Sequence, residues 1–162
     1  MPITYAKKET EDSQFLKARD YSYRLLSYRQ RSVKEITERL KKRNFAAGVI
    51  RKTLKYLSEL KFLNDEQFAR FWIRSKLQSR PCGWALLCYQ LKQKGIAGEL
   101  LDKVKSEYAG EYDEYEAARR IADLRRSRYK GREPLKLKRR LYTYLRRRGF
   151  SQEAVLRALN SS

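Results

Sequence analysis

The sequence predicts an all-α protein of three tandem three-helix repeat units, and three observations carry that expectation. Apolar residues recur at helical spacing almost throughout a 162-residue chain that only three prolines and seven glycines punctuate. One six-residue phrase occurs three times, as LKKRNF at 40–45, LKQKGI at 91–96 and LRRRGF at 145–150, with starts 51 and 54 residues apart. The match extends to both sides. Ile36, Leu87 and Leu141 stand four residues before each leading leucine, and Ile50, Leu101 and Val155 five residues after each closing apolar residue. A shared period near fifty residues marks a repeat architecture, and stacked units of this kind form an elongated, curved helical array.

Residues 1–12, MPITYAKKETED, lack the apolar run of a signal peptide and read as a flexible polar tail. The first unit spans 13–61. Its first helix covers roughly 13–30, and its second opens at Ser32, where SVKE has the spacing of a capping box. Ile36 and Leu40 share one face of that helix, and Asn44 stands where a left-handed residue closes it, as do Gly95 and Gly149 in the later copies. The repeated phrase therefore has a local explanation. The leucine buries, cations sit at the helix's negative end, Asn or Gly turns the chain, and an apolar residue seals the corner.

The second unit spans 62–110. Asn64 and Gln67 again have capping-box spacing, and Phe68, Ala69 and Trp72 share a face of the helix that follows. A helix at 84–94 buries Trp84, Leu87 and Leu91, and one at about 98–109 carries Leu100, Leu101 and Val104. Leu86 and Tyr89 point away from that stripe, for packing against a neighbouring unit or for an exposed docking patch. The third unit, 111–162, has expected helices at 112–129, 135–148 and 151–160, with KGREP at 130–134 lengthening its first connection.

Charge narrows the function. The formal net charge of +20 predicts attraction to polyanions, nucleic acid first, with an anionic membrane face or an acidic protein as alternatives. The excess is uneven: residues 99–118 hold seven carboxylates and two lysines, whereas 119–148 hold fourteen cations and two carboxylates. At 100° per residue, Leu137, Leu141, Tyr144 and Leu145 fall on one side of helix 135–148, and Lys136, Arg139, Arg140, Arg146 and Arg147 on the other. The result is a cationic ridge about 20 Å long, at ~1.5 Å rise per residue.

A solvated face would mix in acids at i,i+4, and this helix has none. Arginine suits phosphate because its planar fork makes paired hydrogen bonds. Arg126 belongs to the same block, and Arg70 and Arg74 extend the basic track. Tyr142 flanks the ridge and is the candidate for stacking on a base. Lys41, Lys42 and Arg43 fit either a basic extension or a helix C-terminus.

Other classes find little support. Cys82 and Cys88, with no histidine in the chain, give neither a disulfide framework nor a zinc site, and read as free thiols in a reducing cytoplasm. No apolar stretch is long enough to span a bilayer. There is no P-loop, dinucleotide fingerprint or Gly-x-Ser-x-Gly, and the carboxylates at 111–116 have the spacing of an acidic helix start. The expectation is a non-enzymatic protein with no cofactor and no metal.

Residues 62–96, FLNDEQFARFWIRSKLQSRPCGWALLCYQLKQKGI, resemble the central segment of the RecX regulatory proteins. The residues that carry the likeness are Phe62, Leu63, Asn64, Asp65, Phe68, Ala69, Gly83, Leu91, Lys94, Gly95 and Ile96. LLSYRQRSVKEITERLKKRNF resembles the family's first unit, and the likeness covers about residues 20–160. Asn64 stands where aspartate is commoner, and Cys82 and Trp84 flank the turn glycine where the family has basic or small residues.

The resemblance implies a modulator of the RecA recombinase. Such a protein binds RecA filaments and single- and double-stranded DNA, acts as a monomer, and alters ATP hydrolysis, strand exchange and filament growth. The alternative is a general DNA-binding or architectural protein without a recombinase role, or one that binds RNA. If the ridge meets about five phosphates, log K should fall with log salt at a slope near −3.5 on single strands. Alanine at Arg139, Arg146 and Arg147 should flatten that slope by about two.

Overall fold

A computed structural model describes residues 10–129 and 133–160, and among these the chain is all-α. The helices are α1 (Glu11–Tyr28), α2 (Val33–Lys42), α3 (Ala47–Glu59), α4 (Asp65–Ser79), α5 (Trp84–Gln93), α6 (Gly98–Tyr108), α7 (Glu114–Arg126), α8 (Pro134–Arg147) and α9 (Gln152–Asn160), with a 3-10 turn at Ser127–Tyr129. They form the expected succession of three-helix units. Of the tail expected at 1–12, residues 1–9 lie outside the described residues, as do loop residues 130–132, while Glu11 and Asp12 belong to α1.

α1 begins two residues before the expected position because Thr10 caps it. Its Oγ1 accepts from the Ser13 amide at 3.3 Å, and Glu11 and Asp12 occupy the positively polarised first turn. The chain divides into two compact units, one through Phe68 and one from Ala69 onward. In the first, α1, α2 and α3 pack on one another around Ala18, Ile36, Leu40, Val49, Ile50, Leu57 and Leu63. The buried hydroxyls of Ser22 and Thr53 donate to the carbonyls of Ala18 and Val49, so neither enters the core unsatisfied.

The capping box at Ser32 forms as expected. Its hydroxyl accepts from the Glu35 amide, and the Glu35 carboxylate accepts from the Ser32 amide. All three copies of the repeated phrase make the same corner. Asn44, Gly95 and Gly149 take φ of 59°, 89° and 80°, and the next amide (Phe45, Ile96 or Phe150) bonds back to the leading leucine's carbonyl at 3.0–3.3 Å.

Lys61 closes α3 in the same way. Its φ is 60°, and Phe62 N bonds to Leu57 O at 2.9 Å. A lysine there carries a Cβ that the left-handed region disfavours. Lys61→Gly should therefore stabilise the protein by about 1 kcal/mol, raising Tm by roughly 2–4 °C in a thermal melt.

In the second unit, α7, α8 and α9 enclose Ala118, Ala122, Leu141, Leu145, Phe150, Val155, Ala158 and Leu159. Leu87 and Leu91 of α5, Ile96, and Leu101 and Val104 of α6 are buried as well. α8 is one turn longer than its counterparts. α2 and α5 begin three residues before Ile36 and Leu87, whereas α8 begins seven residues before Leu141.

A carboxylate device recurs between successive trios. The Val33 amide, first in α2, donates to Asp65 Oδ1 at 2.8 Å, and the Trp84 amide, first in α5, donates to Glu114 Oε1 at 2.8 Å. Asp65 and Glu114 each open the next trio's first helix, so each satisfies an orphan amide of the trio before. Glu114 also accepts from the Ser151 amide at 3.3 Å, ahead of α9. Glu114→Ala should destabilise the protein by about 1–3 kcal/mol, read by urea unfolding; a value below 0.5 kcal/mol would remove this assignment.

Candidate nucleic-acid interface

α8 presents its charge as the sequence predicts, because its apolar stripe fixes its rotation. Leu141 and Leu145 are fully buried, and Leu137 and Tyr144 pack at the margin of the same core. That leaves Lys136, Arg139, Arg140, Arg146 and Arg147 exposed. Arg139, Arg140 and Arg147 make no ion pair among the described residues. Lys136 pairs with Glu133 at 2.9 Å, so the ridge has one acidic neighbour, at its N-cap. Arg146 donates to Phe150 O at 2.7 Å and thereby also tightens the α8–α9 corner.

The remaining candidates are more committed within the fold than their sequence positions indicate. Arg70 forms a two-pronged pair with Glu107 at 2.6 and 2.8 Å, so its charge is neutralised where α6 meets α4. Arg126 is three-quarters covered, and it pairs with Asp123 and donates to Leu159 O. Tyr142 is half-buried against the α7–α9 core, which leaves only part of its ring for a ligand. Arg74 is exposed and makes no ion pair among the described residues; it lines a groove with Leu77, Arg120, Ile121 and Leu124.

The fourteen-cation block is thus chemically divided. Arg119 pairs with Glu116, Arg125 stacks 3.5 Å from the Tyr144 ring centroid, and Lys138 donates to Asn160. Arg148 donates to the carbonyls of Arg80 and Pro81, fixing the α8–α9 corner onto the loop before α5. Tyr112 donates to Cys82 O at 2.9 Å beside it, and burial pushes its phenol well above the usual range, so it remains a donor. Burial also raises the Cys82 thiol, which disfavours the thiolate there.

Nothing in the sequence pattern flagged Arg148, Glu114 or Gly83 as junction residues, because their partners lie 30 or more residues away. Among the described residues, no group of three metal-ligating side chains occurs and no helix is long and apolar enough to cross a membrane.

Comparison with known proteins decides the family. Models of the RecX first, second and third three-helix domains match residues 18–57, 64–104 and 111–159. The chain belongs to the RecX family. Regulatory protein RecX of Chlorobium phaeobacteroides is 34% identical over 94% of this chain and 95% of its own length. The Bacillus pumilus RecX is 32% identical over 91% of this chain, which spans 54% of that longer relative. The crystal structure of RecX from Lactobacillus salivarius, 19% identical, shares the fold with a TM-score of 0.78 over 93% of this chain and 97% of that one. A second RecX crystal structure, 23% identical, gives 0.79 over 88% and 71%.

Several of the residues that carry the RecX likeness are structural in this chain. Asn64 Oδ1 accepts from the Gln67 amide at 2.9 Å, Gly95 turns the corner after α5, and Phe68, Ala69, Leu91 and Ile96 are buried. None of them belongs to the ridge. RecX membership therefore fixes the architecture of three helical trios.

Proposed function

We propose that this RecX-family chain is a non-enzymatic regulator of homologous recombination that binds RecA filaments and DNA and modulates recombinase ATPase and strand exchange. The observation that carries the DNA contact is the exposed, uncompensated arginine set Arg139, Arg140 and Arg147 on a helix held by its buried leucines. Phosphate is the complementary partner, because three guanidinium groups without internal acids repel one another in the free protein. Family membership supports the recombinase as the protein partner. On this reading the chain acts as a monomer in the cytoplasm and requires no cofactor.

The same arginine set would serve a general DNA-binding protein, since phosphate contacts carry no sequence information. Recombinase ATP hydrolysis on single-stranded DNA, measured with substoichiometric protein, separates the two. A changed rate or filament length is the expected result. Retained binding to bare DNA with unchanged hydrolysis would favour the plain DNA binder.

A further inference from the structure

α8 carries one feature that phosphate binding does not use. Leu135, in its first turn, is 67% exposed, and Pro134 before it is exposed too. Both lie in the additional turn that α2 and α5 lack, so no counterpart in the other units packs at this position. Lys136, Lys138, Arg139 and Arg140 follow within the next turn and a half, and all four are exposed. Along the helix, Leu135, Arg139, Tyr142 and Arg146 fall at i, i+4, i+7 and i+11, in a single row.

An exposed leucine by itself needs no explanation. This one stands at the start of the ridge helix, with Lys136, Lys138, Arg139 and Arg140 close behind it. A partner that satisfies both kinds of group must offer closely spaced anions beside an apolar surface. The backbone and base faces of DNA do so, and proteins that unstack bases insert Leu, Ile, Phe or Pro between them.

We propose that Leu135, backed by Pro134, is a wedge that inserts against or between bases while Arg139, Arg140 and Arg147 hold the phosphates alongside. This rests on the proposed DNA-binding role of the ridge. A protein surface fits less well, since an apolar pocket would have to accept a leucine within a turn and a half of four cations. An anionic membrane fits less well because one leucine and one proline present too little apolar area to anchor a helix.

The test uses the full chain with a single-stranded oligonucleotide carrying 2-aminopurine, whose fluorescence rises on unstacking, and anisotropy over a salt series. Wild type should raise the fluorescence, and Leu135→Ser should remove at least about two-thirds of that rise while leaving the salt slope unchanged, because the phosphate contacts persist. Leu135→Phe should keep the rise. Leu135 is solvent-exposed, so these variants fold.

If Leu135→Ser leaves the fluorescence rise intact with normal binding, the wedge is overturned and the ridge stands. If wild type shows no salt-dependent binding at all, the ridge reading itself fails, and the wedge with it. Preferential binding to phosphatidylserine vesicles that Leu135→Ser abolishes would overturn the proposal in favour of a lipid surface.

Discussion

Gly83→Ala should cost the protein at least about 3 kcal/mol and separate the third helical trio from the second. A Cβ at Gly83 would lie 2.0 Å from Gly149 O, 2.1 Å from Gly149 C and 2.2 Å from Phe150 N. All three are backbone atoms at a corner that cannot swing aside, as the end of a flexible side chain could. The corner would have to withdraw, breaking Gly83 N to Arg148 O at 2.9 Å and Ala85 N to Gly149 O at 3.3 Å. Each bond lost contributes about 1 kcal/mol, before the repacking around Phe150 is counted.

Urea unfolding followed by circular dichroism measures the loss, and amide exchange at Ala85 and Phe150 localises it. Gly110→Ala is the control. Nothing lies within 4 Å of a Cβ there, so the change should stay within about 0.5 kcal/mol. A Gly83→Ala protein within 1 kcal/mol of wild type would mean that the two glycines do not meet as described.

The second large effect is on binding. The triple change of Arg139, Arg140 and Arg147 to alanine should flatten the salt slope on single strands by about two, weakening binding roughly 10- to 100-fold near physiological salt. The sequence alone put Arg146 in this set. The structure replaces it with Arg140, because Arg146 also holds Phe150 O and its loss would disturb the corner. The chosen three make no ion pair among the described residues, so Tm should not fall when they are removed. An unaltered slope with full affinity would move the DNA contact off α8.

What could be read from the sequence was what is local. The Ser32 box, the Asn64 cap and the corners at Asn44, Gly95 and Gly149 each depend on residues within six positions, and all form. The rotation of α8 was legible for the same reason: its leucine stripe repeats at helical period. The committed arginines were not legible. Arg70 looked outward-facing, but Glu107 reaches it from 37 residues away. Arg126 joined the basic block by sequence and left it through Leu159, 33 residues on.

Gly83 illustrates the limit most clearly. It occupies the place of Ser32 in the first unit, and by local rules it is a weaker cap. The reason for a glycine lies 66 residues downstream, where Gly149 fills the space a side chain would need. Tyr142 is less exposed than its position beside the ridge suggests, for a related reason. Its angle on the helix wheel placed it beside the ridge, but the width of the core behind it decided how much ring stays exposed.

The two carboxylate caps also bear on the order in which the chain becomes structured at the ribosome. α2 has its own Ser32 cap in addition to Asp65, which follows Val33 by 32 residues. α5 has no side-chain cap of its own, so its first amide depends on Glu114, 30 residues later. A nascent chain arrested at about residue 140, with α5 outside the exit tunnel and α7 still within it, should hold α1–α3 closed while the start of α5 remains open to protease. Emergence of α7 should shut it, so each trio is completed by the one synthesised after it.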